Sequence, residues 1–320
     1  MGFTKGGFMS VQISFDWLSM SLNKSLLGDM LTFLKAEKIP CEYGFRGYRQ
    51  SALLIFGGRV AWSDDREDCH IDLNSQSLAY FSKGTIEGVM SILNKLYEFG
   101  GKLSRLDVAF DDRSGKIGLD GIIEAIWAKD WVSKSYNFRI MESAKNSNSK
   151  IDVTGKTVYI GSSKSSTLLR IYDKGLETGN GDSWVRYEIQ YRDDNSNLAA
   201  AKLIQSYESG LLEFVKVSIG LLRSVCDFRE FNSNENSSRR VLLSWWSDIV
   251  NGAVKVTLGT VEIKHSMDKV MNWLEYQVSS NLALARKYYG SGFMNVVNYL
   301  TEVGESKFKQ KHKMLLMKTS

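Results

Sequence analysis

The chain has 320 residues, 43% of them hydrophobic and 24% charged, with a formal net charge of +5. That suffices for one large or two smaller cored domains, and a single proline, Pro40, excludes long proline-rich linkers. No apolar run approaches the roughly 20 residues of a membrane helix, and the first residues lack the apolar centre of a secretory signal. Three scattered cysteines, Cys41, Cys69 and Cys226, exclude a disulfide framework and a CxxC zinc site. The expected setting is a reducing cytoplasm, with no membrane partner.

In chain order, residues 11–18 read as a strand. Ser25–Lys38 reads as a helix, because Leu27, Met30, Leu31 and Leu34 follow the i, i+3, i+4, i+7 stripe. Short strands follow to about Phe81. In one of them, CHIDL, His70 and Asp72 share a face, and the expected role of His70 is a half-buried strand histidine. Thr85 is the expected N-cap of a helix to Tyr97, and Gly100-Gly101 ends it. Ser104–Asp112 is a strand and Leu119–Lys129 a helix. Three strands come next, over Val158–Gly161, Thr167–Lys174 and Trp184–Arg192. Helices are expected near Asn197–Ser209, over Gly210–Ser224 and over Met267–Lys287. Phe231–Arg240, FNSNENSSRR, is polar and rich in Asn and Ser, as a boundary would be. The pattern predicts an α+β fold, an antiparallel sheet with helices on one face, plus a helical C-terminal region. No internal repeat is evident.

The chemistry sits on strand faces. Successive strand side chains point to opposite sides, so Arg105, Asp107, Ala109 and Asp111 share a face against Leu106, Val108 and Phe110. Two carboxylates then stand about 7 Å apart along the strand, oxygen ligands of the kind a hard divalent cation prefers. The same face also reads as a solvated strand with an Arg105–Asp107 pair. In the second strand of the later block, Arg170, Tyr172 and Lys174 share a face. In the third, Arg186, Glu188 and Gln190 do. Cations, a tyrosine and a carboxylate so arranged suit phosphate chemistry with a tyrosine nucleophile. Tyr187 and Tyr191 lie opposite Glu188 and are expected in the core; the face of Tyr159 is left open.

The ordered motifs RLDVAFDD, VYIGSSKSSTLLRIYDKGLE and WVRYEIQYR resemble those of the replication initiation factor family. That family includes rolling-circle initiators of plasmids, relaxases of conjugative elements and replication proteins of filamentous phages. ISFDWLSMSL and CHIDLNSQSLAYF add to the likeness, which spans roughly residues 11 to 225. The resemblance implies a fold related to HUH endonucleases and a strand-transferring tyrosine, matched by Tyr172 of RIYDK. It also implies acidic metal ligands, matched by Asp107 and Glu188; Asp111, on the strand face of Asp107, is the expected third. The implied cofactor is Mg²⁺ or Mn²⁺. The implied reaction is nicking at a single-stranded or extruded hairpin origin, leaving a 5′-phosphotyrosyl link. Arg170 and Lys174 are expected to favour the Tyr172 phenolate. A conjugative relaxase and an inactive DNA-binding regulator are the alternatives.

Thr154-Gly-Lys-Thr157 is not a P-loop, because position 150 is Lys rather than Gly. Unwinding would therefore fall to a host helicase; a homodimer is compatible with the chain. Residues 236–320 hold twelve Lys/Arg against six Asp/Glu, whereas residues 1–235 hold 29 against 30. The expected division is a catalytic domain over 1–235 and a basic DNA-binding region over 236–320, ending in Lys307, Lys309, Lys311 and Lys313.

Overall fold

A computed structural model describes residues 11–146, 151–179, 183–232, 236–237, 239–258, 271, 274 and 278–308. The chain divides into two compact units, Met1–Gly259 and Thr260–Ser320.

The first unit contains strands β1 (Val11–Asn23), β2 (Ile39–Cys41), β3 (Gln50–Leu53), β4 (Arg59–Trp62), β5 (Asp68–Leu73) and β6 (Lys102–Asp112). It continues with β7 (Trp131–Ser133), β8 (Phe138–Asn146), β9 (Ile151–Ile160), β10 (Thr167–Asp173), β11 (Val185–Arg192) and β12 (Cys226–Phe228). Ten of them form one sheet in the order β2-β3-β4-β5-β1-β6-β11-β10-β9-β8, while β7 pairs with β12. Every pairing is antiparallel. The helices are α1 (Leu27–Leu34), α2 (Ser75–Phe81), α3 (Ile86–Glu98), α4 (Leu119–Trp127), α5 (Lys174–Thr178), α6 (Asp193–Glu208), α7 (Leu211–Val225) and α8 (Ser244–Val250).

Alternation decides which face is covered. Leu106, Val108 and Phe110 of β6 join Tyr187, Ile189 and Tyr191 of β11 and Leu169 and Ile171 of β10 in the core. Against them pack Val89, Met90 and Leu93 of α3, Ala199, Ala200 and Leu203 of α6, and Phe214 and Leu222 of α7. Each large apolar side chain so buried contributes about 1.5–3 kcal/mol. The Thr85 hydroxyl accepts from the Gly88 N–H at 3.0 Å, capping α3 as expected. The first helix is shorter than its stripe suggested: Lys35 adopts φ +53°, which ends α1, and Ile39–Cys41 then pairs with β3.

The topology repeats although the sequence does not. β1, α1, the meander β2–β5 and helices α2–α3 are followed by β6, α4, the meander β8–β11 and helices α6–α7. In each half the last meander strand pairs with the first strand, β5 with β1 and β11 with β6. The two halves meet at the antiparallel β1–β6 pair, so an approximate two-fold axis passes between those strands. Topology constrains only the apolar alternation, which many sequences satisfy, so the repeat is not evident along the sequence.

The expected boundary at 235 differs from the division after Gly259. Trp246, Ile249, Val250 and Ala253 are buried in the core of the first unit. Asp227, also buried, ties this segment down: it accepts from Trp246 Nε1 at 2.6 Å, from Arg223 at 3.1 Å and from Arg229 at 2.8 Å, and pairs with Lys255 at 3.3 Å. The described residues on both sides of the Asn/Ser-rich stretch therefore belong to the first unit.

In the second unit, helices α9 (Ser279–Tyr289) and α10 (Phe293–Glu305) are described, and neither buries a residue. Lys307 follows α10 and is exposed. Lys309, Lys311 and Lys313 lie outside the described residues, as does the start of the expected helix Met267–Lys287.

Candidate active site

Three strands bring the predicted residues together on the sheet face away from α3, α6 and α7. Glu188 of β11 lies opposite Ala109 of β6 and Arg170 of β10; Gln190 lies opposite Asp107, and Tyr172 opposite Arg186. β1 adds two side chains through a bulge. The register shifts between Phe15 and Trp17, leaving Asp16 unpaired as an extra residue, and such bulges re-aim side chains. Asp16 and Trp17 line one cavity of about 460 Å³ with Asp107, Arg170, Tyr172 and Glu188. Tyr159 lines it too, which settles the face left open by the sequence. Tyr187 and Tyr191 are core residues with 0% and 1% exposure, as their face required.

The Tyr172 hydroxyl donates to Glu188 Oε2 at 3.0 Å. Arg170 Nη2 contacts Glu188 Oε1 and lies 3.3 Å from Asp107 Oδ2. Arg105 grips Asp107 with two hydrogen bonds, 2.9 and 2.5 Å long. Two carboxylates, 0% and 1% exposed, are thus balanced by two guanidiniums, which is what their burial requires. Burial pushes the Glu188 carboxyl above its ordinary value; the Arg170 charge opposes this and the Asp107 charge adds to it. Burial, then the Glu188 charge, raise the Tyr172 phenol well above its ordinary value, with Arg186 opposing.

Two expectations are corrected here. Asp111 does not join Asp107 and Glu188. Arg186 holds it with bonds of 2.6 and 2.8 Å, and Trp184 Nε1 donates to it at 2.8 Å; Arg186 also reaches Asp16 at 2.9 Å. One face of a strand is long enough to serve two clusters. Nor do Arg170 and Lys174 free the phenolate. Arg170 is taken by the carboxylates. β10 ends at Asp173, whose side chain caps α5 by accepting from the Leu176 N–H at 2.7 Å. Lys174 then opens that helix and pairs with Glu177, its Nζ 5.6 Å from the centre of the Tyr172 ring.

Among the described residues no group of three or more His, Cys, Asp or Glu gathers as a metal cage. The pair Asp107 and Glu188 fits a looser mode, in which Mg²⁺ or Mn²⁺ takes one or two carboxylates and completes its shell with water and phosphate oxygens. His70 stands apart: it is buried, 3.1 Å from Ser21 Oγ and stacked near Tyr48.

The sequence missed Asp16 and Trp17 as site residues, because a bulge is not visible in an alternation pattern. It also missed Asn74, Ser75 and Gln76, the N-cap and first turn of α2, which line the cavity; an N-cap motif announces the helix but not the strands it lies beside.

The model of the family described as replication initiation factors matches residues 101–302. The chain belongs to the replication initiation factor family. The match begins just before β6 and includes Asp107, Tyr172 and Glu188. A proposed DNA relaxase, NicK, of Bacillus subtilis (strain 168) is 21% identical over 299 residues, covering 88% of this chain and 80% of that protein. A rolling circle replication initiator protein from Geobacillus stearothermophilus has the same fold. Its structure superposes with a TM-score of 0.64 at 22% identity, over 78% of this chain and all of that one. No helix among the described residues is long and apolar enough to cross a membrane.

Proposed function

We propose that this replication initiation factor nicks one DNA strand at a replication origin and joins itself to the new 5′ end through Tyr172. The observation that carries the reading is the Tyr172–Glu188 hydrogen bond of 3.0 Å inside a polar cavity. A phenol with a raised pKa needs a proton acceptor as it attacks, and Glu188 Oε2 is in place. Tyr172 Oη bonds to the scissile phosphorus, its proton passes to Glu188, and the 3′ oxygen leaves. Arg170 and Arg105 set positive charge beside the non-bridging oxygens, where negative charge accumulates. Asp107 holds both guanidiniums in place. Bound at Asp107 and Glu188, Mg²⁺ or Mn²⁺ would supply Lewis-acid polarisation of the phosphate. The phosphotyrosyl bond keeps the phosphodiester energy, so the freed 3′-OH can prime synthesis and a later transfer can reseal the strand.

The likeness to NicK favours a relaxase use of the same chemistry as the second reading; the two differ in the DNA site, not in the residues. Residues 260–320, with nine Lys/Arg against five Asp/Glu, supply nonspecific DNA affinity in this account. The test is incubation with supercoiled DNA carrying the protein's own gene and Mn²⁺. A nicked, protein-linked product supports the reading; unchanged supercoiled DNA at every metal tested refutes it.

A further inference from the structure

The two-fold relation between the halves gives the catalytic cluster a counterpart. Aligning β1, β5 and β4 with β6, β11 and β10 through the registers puts Asp72 where Glu188 is, Arg59 where Arg170 is and Ala61 where Tyr172 is. Trp17 falls where Asp107 is. The counterpart keeps an arginine and a carboxylate, and it lacks the nucleophile. It opens from the cavity itself: Trp17 and Arg105 line that cavity, Arg105 Cζ stands 4.3 Å from the Trp17 ring centre, and Trp17 Nε1 bonds Asp72.

Its cation is free for a ligand. Arg59 Cζ lies 4.8 Å from the ring centre of Phe45 and 5.5 Å from that of Tyr43, and no carboxylate pairs with it among the described residues. Arg46 takes Asp72 at 2.8 Å, and Arg49 and Arg66 on neighbouring segments are held by Asp65 and Asp68. Tyr43 is 61% exposed. Guanidinium charge interleaved with accessible aromatic rings is the arrangement that holds single-stranded nucleic acid, by phosphate contact and base stacking.

We propose that Arg59, Tyr43 and Phe45 form a second, non-catalytic single-stranded DNA tract on the N-terminal half of the sheet face. It continues from the Tyr172 cavity across β1 and β5, and Arg59 on β4 lies five strands from Tyr172 on β10, about 24 Å at the usual strand spacing. The proposal rests on the DNA-nicking reading and assigns the duplicated half the task of holding the strand that the other half cuts.

The test measures fluorescein-labelled dT30 binding by the full chain across a salt series. Arg59→Ala and Tyr43→Ala should each weaken binding about fivefold or more, Arg59→Ala should also flatten the salt slope by about 0.7, and Tyr43→Phe should restore affinity. Lys216→Ala on α7, behind the sheet, should bind as wild type. In the wild-type chain, 5-iodouracil placed along dT30 should crosslink to Tyr43 or Phe45, a readout that depends on no variant folding. Unchanged dT30 affinity in both alanine variants with crosslinks only inside the cavity overturns the tract. A wild-type chain that binds dT30 but never nicks refutes the nicking reading alone.

Discussion

Tyr172 and Glu188 stand on adjacent antiparallel strands, two residues out of register and on one face, with the phenol donating to the carboxylate at 3.0 Å. The contact explains why a strand rather than a loop carries the tyrosine. Pairing fixes the backbone on both sides, so the hydroxyl is held without a mobile segment. Burial of the glutamate protects the contact, because water there would compete for the hydrogen bond and weaken the pair.

The carboxylates should be indispensable for chemistry. Glu188→Gln keeps the shape but removes the base, and nicking per folded molecule should fall by about 10²–10⁴. Asp107→Asn should lose activity as well, by releasing Arg105 and Arg170. Excess chelator should stop the wild-type reaction and Mn²⁺ restore it. Wild-type activity in chelator, or in both variants, contradicts the proposed site.

Asp111 should behave differently. Its two bonds to Arg186 make it a structural partner, so Asp111→Asn should destabilise the fold by about 3 kcal/mol in urea titration. Nicking per folded molecule should change only a few-fold. Intact stability with lost activity would place Asp111 back among the reacting groups.

These two predictions mark where sequence reading succeeded and where it stopped. Alternation in SRLDVAFDD and TLLRIYDK placed Asp107, Arg170 and Tyr172 on polar faces, because a strand's two sides follow from spacing alone. Which faces meet is set by strand order, and that arises from long-range pairing. So Asp111 was grouped with Asp107 although Arg186 claims it, and Asp16 went unnoticed because a bulge breaks the alternation. Lys174 followed the strand pattern on paper, yet Asp173 caps a helix there. The C-terminal boundary was misplaced for a similar reason: polar composition marked 231–240, while the core contact of Trp246 lies beyond it.

Asp227 gives the fold an acid limit. Burial alone would raise its carboxyl, but hydrogen bonds from Arg223 and Trp246 and the charge of Lys255 hold it below its ordinary value. A depressed carboxyl contributes stability that is complete above the unfolded value near ~3.9 and is lost as pH falls through the folded one. Urea midpoints measured from pH 7 to pH 2.5 should drop in that acid window. Asp227→Asn should cost about 3–5 kcal/mol at neutral pH and show a shallower acid decline. A variant with the wild-type acid profile would contradict this.

Truncation separates the two units. A fragment ending at Gly259 keeps Trp246 and Lys255 on Asp227 and should fold cooperatively by circular dichroism, with weaker duplex DNA binding and a shallower salt slope than the full chain. A fragment ending at Phe231 loses that clasp and should fail to fold. A well-folded 1–231 fragment would contradict the division after Gly259.

The most direct test is the site of covalent attachment. The full chain is incubated with supercoiled DNA carrying its own gene and Mn²⁺, the denaturant-resistant adduct is digested with protease and nuclease, and the nucleotide-bearing peptide is sequenced by mass spectrometry. The account predicts one modified residue, Tyr172, and no adduct from Tyr172→Phe, whose stability should fall by only about 1–2 kcal/mol for the lost hydrogen bond. A nucleotide on Tyr159, or an adduct that survives in Tyr172→Phe, would contradict it.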